Sequence, residues 1–380
     1  MKEPQRVLHI VGEGFICGGI ESFIMNIYRH LDHSKVQLDF AVPMRFDCPH
    51  YVTEINSLGG QMFSWNIPKK ALLKYLFMYV RACRFFKAHP YDIIHIHSGG
   101  FAPFILISKA AERAKIPVRI VHAHATGYEA AAHFPKSILY QYFRNRIDHY
   151  ATHYLACSEA AANWVFSNET CHSHRVKLIE NGIHAEDFTF DPDIRSLYRE
   201  NLGLSGKFVI GHIGRFSAEK NHEYLINVFY ELYQRKQQSI LLLVGAGELE
   251  ESVRMRVNEL NLSCAVLFMG VRNDIPKLMQ AMDALLLPST HEGLGIVLVE
   301  AQAAGLRCFA SSGAVPNEAK LTDLLEFLPL SNPAEWLNSL MQLEDGYRRS
   351  DMSESIQNAG YDIRCSAKKL EDLYLRLIDH

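Results

Sequence analysis

Short apolar runs rich in Val, Ile and Leu recur along the whole chain, each followed by a longer stretch whose apolar residues return every three or four positions. In the first half the strand-like runs are RVLHIV (6–11), VQLDFAV (36–42), QMFSW (61–65), DIIHIH (92–97), VRIVHAH (118–124), HYLACS (153–158) and RVKLIE (175–180). In the second half they are FVIGHI (208–213), SILLLVG (239–245), AVLFMG (265–270), ALLLPS (284–289) and LRCFAS (306–311). Continuous apolar runs separated by helices predict parallel strands buried on both faces. Two successive sets predict an α/β protein with two Rossmann-like, doubly wound domains. The polar segment HAEDFTFDPDIR (184–195) divides the sets, which sets the expected boundary between residues 187 and 188. The last amphipathic stretch, CSAKKLEDLYLRLIDH (365–380), gathers Leu370, Leu373, Tyr374, Leu377 and Ile378 on one helical face.

Ligands of such sheets sit beyond the carboxyl ends of the strands, so each strand-to-helix junction is a candidate site. Four carry chemistry. GEGFICGGIESF (12–23) offers glycines for close backbone approach and a helix start near Gly19. Its spacing is a weak match to a dinucleotide loop, and Asp39 lies inside its strand rather than at the end where a ribose-binding acid belongs. GRFSAEKN (214–221) carries Arg215 and Lys220 beside a helix N-terminus, a fit for a diphosphate or simply a solvated loop. VGAGELEE (244–251) reads as a glycine turn with an acidic helix start, explained by stability alone. In STHEGLGIVLVEAQAAG (289–305), Glu292 precedes a turn and Glu300 sits among Val297, Leu298, Val299 and Ala301. A lone carboxylate there is costly unless partnered, and the vicinal hydroxyls of a ribose would satisfy both its oxygens.

Composition changes this picture little. With 48% hydrophobic and 21% charged residues, the 380-residue chain is ordinary for a globular protein of two domains. No apolar run approaches a membrane span, and MKEPQRVLHIVGEG enters a strand at Arg6 instead of reading as a signal peptide. The eight cysteines contain no C-x-x-C pair, which predicts reduced thiols and a cytoplasmic protein. Charge is uneven: residues 1–187 hold 20 Lys and Arg against 16 Asp and Glu, the remainder 19 against 26. The segment 69–90 holds Lys69, Lys70, Lys74, Arg81, Arg84 and Lys87 among aromatic and aliphatic residues. It suits either a covering helix with a basic edge or a helix resting on an anionic membrane, and FPKSILYQYFRNR (134–146) has the same character. No nucleic-acid motif appears, so no nucleic-acid partner is expected. His95, His97, His122 and His124 alternate on two strands, and with Cys171, His172 and His174 they raise the question of zinc; the spacing lacks a cysteine pair, so no metal is expected. Asp191-Pro192-Asp193 falls in the divider and reads as a turn.

Taken in order, these motifs resemble the retaining glycosyltransferases of family four, of the bacterial capsular and exopolysaccharide type. The resemblance runs through Gly18, Gly19, Ile20 and Glu21, His122-x-His124, Asn181-Gly182-Ile183, GRFSAEKN, VGAGE, FMGVRNDIP (268–276), PSTHEGLGIVLVEA (288–301) and SSGAVPNEA (311–319). It implies a GT-B fold: two domains facing across a cleft, with the last helix crossing back, giving 1–187 plus 361–380 as the acceptor-side domain and 188–360 as the nucleotide-sugar domain. It implies no cofactor beyond a nucleotide-sugar co-substrate, expected to be a UDP-sugar. Arg215 and Lys220, with Gly214 beneath, would neutralise the diphosphate. Glu300 would hold the ribose, and Glu292 with the Gly293-Leu294-Gly295 backbone the donor sugar. Gly18 and Gly19 would approach the phosphates, Val271 the base, and His124 the reacting carbon. The implied acceptor is a lipid-linked or growing saccharide at the cytoplasmic face of the membrane. Alternatives are a non-catalytic scaffold of the same fold, a nicotinamide-dependent oxidoreductase, and a nucleotide-sugar isomerase or hydrolase.

Overall fold

The computed structural model describes residues 3–12, 14–15, 19–68, 73–124, 136–343 and 349–377. The chain divides into two units, Met1–Gly182 with Ile363–His380, and Ile183–Asp362.

The first unit is built on seven parallel strands: β1 (Gln5–Val11), β2 (Val36–Val42), β3 (Met62–Ser64), β4 (Ile93–Ser98), β5 (Val118–Ala123), β6 (His153–Ala156) and β7 (Val176–Leu178). Their spatial order is 3-2-1-4-5-6-7, so the direction of winding reverses between β1 and β4. One sheet face is covered by the helices Gly19–His30 and Ile363–Arg376, the other by Lys74–Ala88, Phe101–Arg113 and Lys136–Tyr150. Leu370, Leu373 and Tyr374 bury against the first face, which makes this unit discontinuous in sequence. Asp39, fully buried in β2, accepts from Arg6 Nε at 2.7 Å, Tyr91 Oη at 2.9 Å and the Gln61 amide at 2.7 Å. A carboxylate so satisfied is a structural ion-pair partner and not a ribose ligand.

The second unit holds β8 (Phe208–Ile213), β9 (Ser239–Val244), β10 (Val266–Gly270), β11 (Ala284–Leu287), β12 (Arg307–Ser311) and β13 (Leu325–Leu328), parallel and ordered 10-9-8-11-12-13. Here the winding reverses between β8 and β11. The segment from Ile183 to Asp187 belongs to this unit, where the sequence pattern assigned it to the first domain. Ile183 donates its amide to the Tyr361 carbonyl at 2.8 Å, and Ala185 and Phe188 enter the second core. Tyr361 and Asp362 likewise belong here and not to the first domain. Asp191-Pro192-Asp193 is a helix start: Asp191 Oδ1 accepts from the amides of Asp193 (2.8 Å) and Ile194 (3.1 Å), with Pro192 in the first turn of the helix Pro192–Asn201.

One cysteine departs from the expected reduced set. Cys48 is disulfide-bonded, whereas Cys83, Cys157, Cys171, Cys264, Cys308 and Cys365 are free. The bridge between Phe15 and Phe46 draws the loops after β1 and β2 together beside Cys48, a juxtaposition that sequence spacing does not reveal. Among the described residues no helix is long and apolar enough to cross a membrane.

Candidate active site

In an open parallel sheet the crevice forms where the winding reverses, because the loops on either side of that point lead away from each other. In the second unit the two loops concerned follow β8 and β11. They contain two of the four segments that the sequence pattern marks for chemistry.

After β8 the chain turns at Gly214, makes a short 3-10 turn over Ala218–Lys220, and enters the helix His222–Arg235 through Asn221 in the left-handed region. This route folds Lys220 back over the turn, so that its Cδ lies 3.3 Å from where a Cβ on Gly214 would stand. The turn is backed by the glycine loop after β9. Gly245 has φ +133°, and a Cβ there would meet the Gly214 carbonyl oxygen at 2.1 Å. The VGAGE glycines are thus explained by close packing of two backbones.

After β11, Ser289 and Glu292 precede the helix Ile296–Ala303, which begins at Gly295 with φ +80°. The Thr290 amide donates to the Glu219 carbonyl at 2.8 Å, locking this loop to the one after β8. Lys220 Nζ then donates to Glu292 Oε1 at 2.5 Å, and Ser289 Oγ donates to the same oxygen at 2.6 Å. Gly214, Lys220, Ser289, Glu292 and Gly295 therefore form one cluster at the reversal point. Burial holds the neighbouring imidazoles neutral, pushing His212 down to about 3 and His222 to about 4. The cluster's fixed cation is Lys220, and the first amides of two helices add positive potential to it.

Arg215 occupies the expected turn, but its side chain is 60% exposed and its Nη2 pairs with Glu248 Oε2 at 3.0 Å. It is not Lys220's equal, because the turn directs it toward the loop after β9. Leu294 is buried in the second core, so it can serve a ligand only through its backbone. Gly293 is half-buried in the same turn. Val271, 70% exposed, follows Gly270 at the end of β10, where Gly270 accepts from the Gly245 amide.

Glu300 lies roughly 7 Å beyond Gly295 along the helix axis, by the 1.5 Å rise per residue. Its neighbours Val299 and Ala301 are buried, while Glu300 itself is half-buried. Burial raises its carboxyl to about 7, and no hydrogen bond or ion pair within the described residues meets the side chain. It is an acid waiting for a donor, unlike Asp39.

The remaining sites belong to the first unit. Gly19 opens the helix Gly19–His30, whereas Gly18 lies outside the described residues. His124 follows β5, half-buried, with Nε2 at 2.8 Å from His97 Nδ1; burial lowers it to about 3, so it is neutral. Sequence reasoning missed Ser289 and Glu248. Ser289 carried a readable signal, a polar residue just past the end of a buried parallel strand; Glu248 carried none.

Two doubly wound parallel-sheet units in one chain constitute the GT-B architecture. Comparison with known proteins agrees. A model described as Glycosyl transferases group 1 matches residues 195–320, and one described as Glycosyltransferase Family 4 matches residues 17–187. The chain is 32% identical over 376 residues to EpsF of Bacillus subtilis (strain 168), a protein named as a glycosyltransferase, covering 97% of this chain and 96% of EpsF. It is 25% identical over 316 residues to the UDP-Gal:alpha-D-GlcNAc-diphosphoundecaprenol alpha-1,3-galactosyltransferase of Escherichia coli, 81% of each chain. Among solved structures, Anabaena HepE in complex with UDP and glucose superimposes with a TM-score of 0.75 at 21% identity, covering 98% of this chain and 100% of that one. The chain belongs to the family-four glycosyltransferases.

Proposed function

We propose that the protein is a retaining glycosyltransferase that moves a sugar from a UDP-sugar to a lipid-linked or growing saccharide in surface polysaccharide synthesis. The observation that carries this reading is the Lys220–Glu292–Ser289 cluster at the second sheet's reversal point, with the carboxyl of Glu300, unpartnered among the described residues, on the adjoining helix. A diphosphate needs a fixed cation and helix amides; a ribose needs an acceptor for its hydroxyls. Lys220 supplies the first and Glu300 the second, with Glu292 orienting Lys220 and meeting the donor sugar, and the Gly270–Val271 backbone facing the base. Arg215 flanks the diphosphate from the exposed side.

The reaction cleaves the bond between the anomeric carbon and the diphosphate oxygen and forms one from that carbon to an acceptor hydroxyl on the same face. The electron pair of the broken bond goes to the diphosphate, which takes the acceptor's proton. Stabilising the departing charge is the main catalytic task, and a fixed ammonium with helix amides performs it without a metal ion. The name of the Escherichia coli relative, which specifies a diphosphoundecaprenol-linked sugar, supports a lipid-linked acceptor.

An acceptor of that kind calls for a membrane-facing surface at the cytoplasmic leaflet. Leu73, Tyr75, Leu76 and Phe77 are exposed at the start of the helix Lys74–Ala88, as are Ile138 and Tyr142 on the helix Lys136–Tyr150 of the same sheet face. Lys69 and Lys70 lie outside the described residues, and Arg81 is drawn inward to the Trp65 carbonyl.

Incubation with a panel of UDP-sugars and a lipid-linked saccharide, read by NMR of the product linkage, tests the reading. The expected product keeps the donor's α configuration and forms equally well in EDTA. An inverted linkage, loss of turnover in EDTA, or release of free sugar alone would contradict it.

A further inference from the structure

Ser289 donates to Glu292, yet it stands two positions past Leu287, the end of β11. The ladder between β11 and β12 closes with the pair Leu287–Ala310, so beyond that pair the two backbones part. Ser289 is fully buried, and a buried carbonyl left without a donor is costly. Ser311, the last residue of β12 and also fully buried, supplies the donor: its Oγ donates to the Ser289 carbonyl. A side chain thus extends the ladder by one bond at the point where the backbones separate.

The loop after β12 also grips the other end of this segment. The Glu292 amide donates to the Ala314 carbonyl at 3.0 Å, and between the two ends the Thr290 amide donates to the Glu219 carbonyl at 2.8 Å. Three of the four residues 289–292 are therefore tied through their backbone groups to the loops after β12 and β8. The loop after β12 has its own anchors. The Ser312 amide donates to the Leu328 carbonyl of β13 at 2.9 Å, and the Val315 amide to the Ser311 carbonyl at 3.2 Å. The motif SSGAVPNEA (311–319), to which the site described above gives no part, is in this way the buttress of the Glu292 turn.

The buttress decides where a charge points. Glu292 Oε1 accepts from Ser289 Oγ at 2.6 Å and from Lys220 Nζ at 2.5 Å. The Ser289 hydroxyl can aim at that oxygen while its own backbone is fixed, and Ser311 fixes it. Every group from Ser311 to Lys220 lies in the second unit.

We propose that Ser311 is a positioning residue for nucleotide binding: through the Ser289 carbonyl it holds the 289–292 segment so that Glu292 directs the Lys220 ammonium at a diphosphate. The inference rests on the reading above that Lys220 meets the diphosphate. Its rival is that the Ser311 hydroxyl satisfies a buried carbonyl and does nothing more, which would affect stability alone.

A double-mutant cycle separates the two. UDP is titrated by calorimetry into wild type, Ser311→Ala, Lys220→Ala and the double variant, with melting temperatures measured alongside. Ser311→Ala is expected to weaken UDP binding about fivefold in the wild-type background and less than about twofold in the Lys220→Ala background, because aim is lost only where there is an ammonium to aim. Ser311→Thr, which keeps the hydroxyl, is expected to bind UDP as wild type does. A fall in melting temperature with unchanged UDP affinity in Ser311→Ala, or equal losses in both backgrounds, would overturn the proposal. If Ser311→Ala does not fold, Ser311→Thr and Ser311→Val decide, since they share a shape and differ in the hydroxyl; equal affinity of that pair overturns it as well. Should Lys220→Ala alone leave UDP affinity unchanged, the reading of Lys220 is what fails, and the proposal falls with it.

Discussion

Lys220 and Arg215 stand five positions apart in one turn, yet the structure makes them unequal. Lys220 keeps 19% of its side-chain exposure and is held by Glu292, whereas Arg215 keeps 60% and pairs with an equally exposed Glu248. Exposed pairs contribute about 0.2–1 kcal/mol, while preorganised groups at a developing anion contribute roughly 2.7–4 kcal/mol. Lys220→Ala should therefore lower kcat about 100-fold or more, and Arg215→Ala less than about tenfold. Steady-state kinetics on both variants, with melting temperatures as a fold control, check this; equal losses would restore the symmetric clamp that the sequence suggested. Glu300 is governed by a different effect. Burial raises its carboxyl from 4.5 to about 7, so between these values the folded chain holds a proton that the unfolded chain has lost. Its contribution to stability thus falls as pH rises through that window, by roughly 3 kcal/mol at most. Hydroxyls that donate to the carboxylate offset this cost, so binding should strengthen as pH rises through about 7. Glu300 stood out in the sequence because it interrupts an apolar helix. The pairing of Arg215 did not, because Glu248 comes from another loop and charge spacing says nothing about the direction of a turn.

At the level of elements, every strand-like run of the sequence contains a strand, because buried parallel strands are continuous in apolar residues. The exception to full legibility is β13. LEFL is an edge strand of four residues, and its exposed Glu326 interrupts the apolar run. Asp191-Pro192 was legible in composition but not in role, since Asp followed by Pro serves a turn and a helix start alike. The helix Lys74–Ala88 shows a different ambiguity: its apolar residues are divided between core and surface. Met78, Ala82 and Phe86 face the sheet, while Leu73, Tyr75, Leu76 and Phe77 do not. Exposed aromatic and aliphatic residues beside lysines are what an interfacial helix needs. Leu76→Glu with Phe77→Glu should reduce co-sedimentation with vesicles containing anionic lipid by about tenfold or more, leaving the core and the fold intact. Undiminished co-sedimentation would assign the helix to covering the sheet alone.

For the whole molecule, two parallel sheets each reverse their winding once, and in the second unit that reversal gathers two of the loops that the sequence marks for chemistry. In the first unit the reversal lies between β1 and β4, next to the buried His9, His95 and His97; in the second it lies between β8 and β11, at Lys220 and Glu292. The number of sheets and the discontinuous first unit follow from patterns of apolar residues and family likeness. The boundary at Ile183 does not, because it depends on a backbone pairing with Tyr361 far away in the chain. The same holds for the buried histidines of the first sheet, whose alternation was visible but whose contact with Tyr374, 2.6 Å from His95 Nδ1 and 2.9 Å from His9 Nε2, was not. The central claim is that the second unit grips a nucleoside diphosphate sugar at its reversal point, with Glu300 taking the ribose. Calorimetric titration of UDP-glucose into wild type and Glu300→Gln at pH 6 and pH 8 tests it most directly, since comparison at each pH cancels the titration of other groups. Wild type should bind several-fold more tightly at pH 8 than Glu300→Gln does, and the gap should narrow at pH 6. Equal affinity of the two proteins at both pH values would contradict the account.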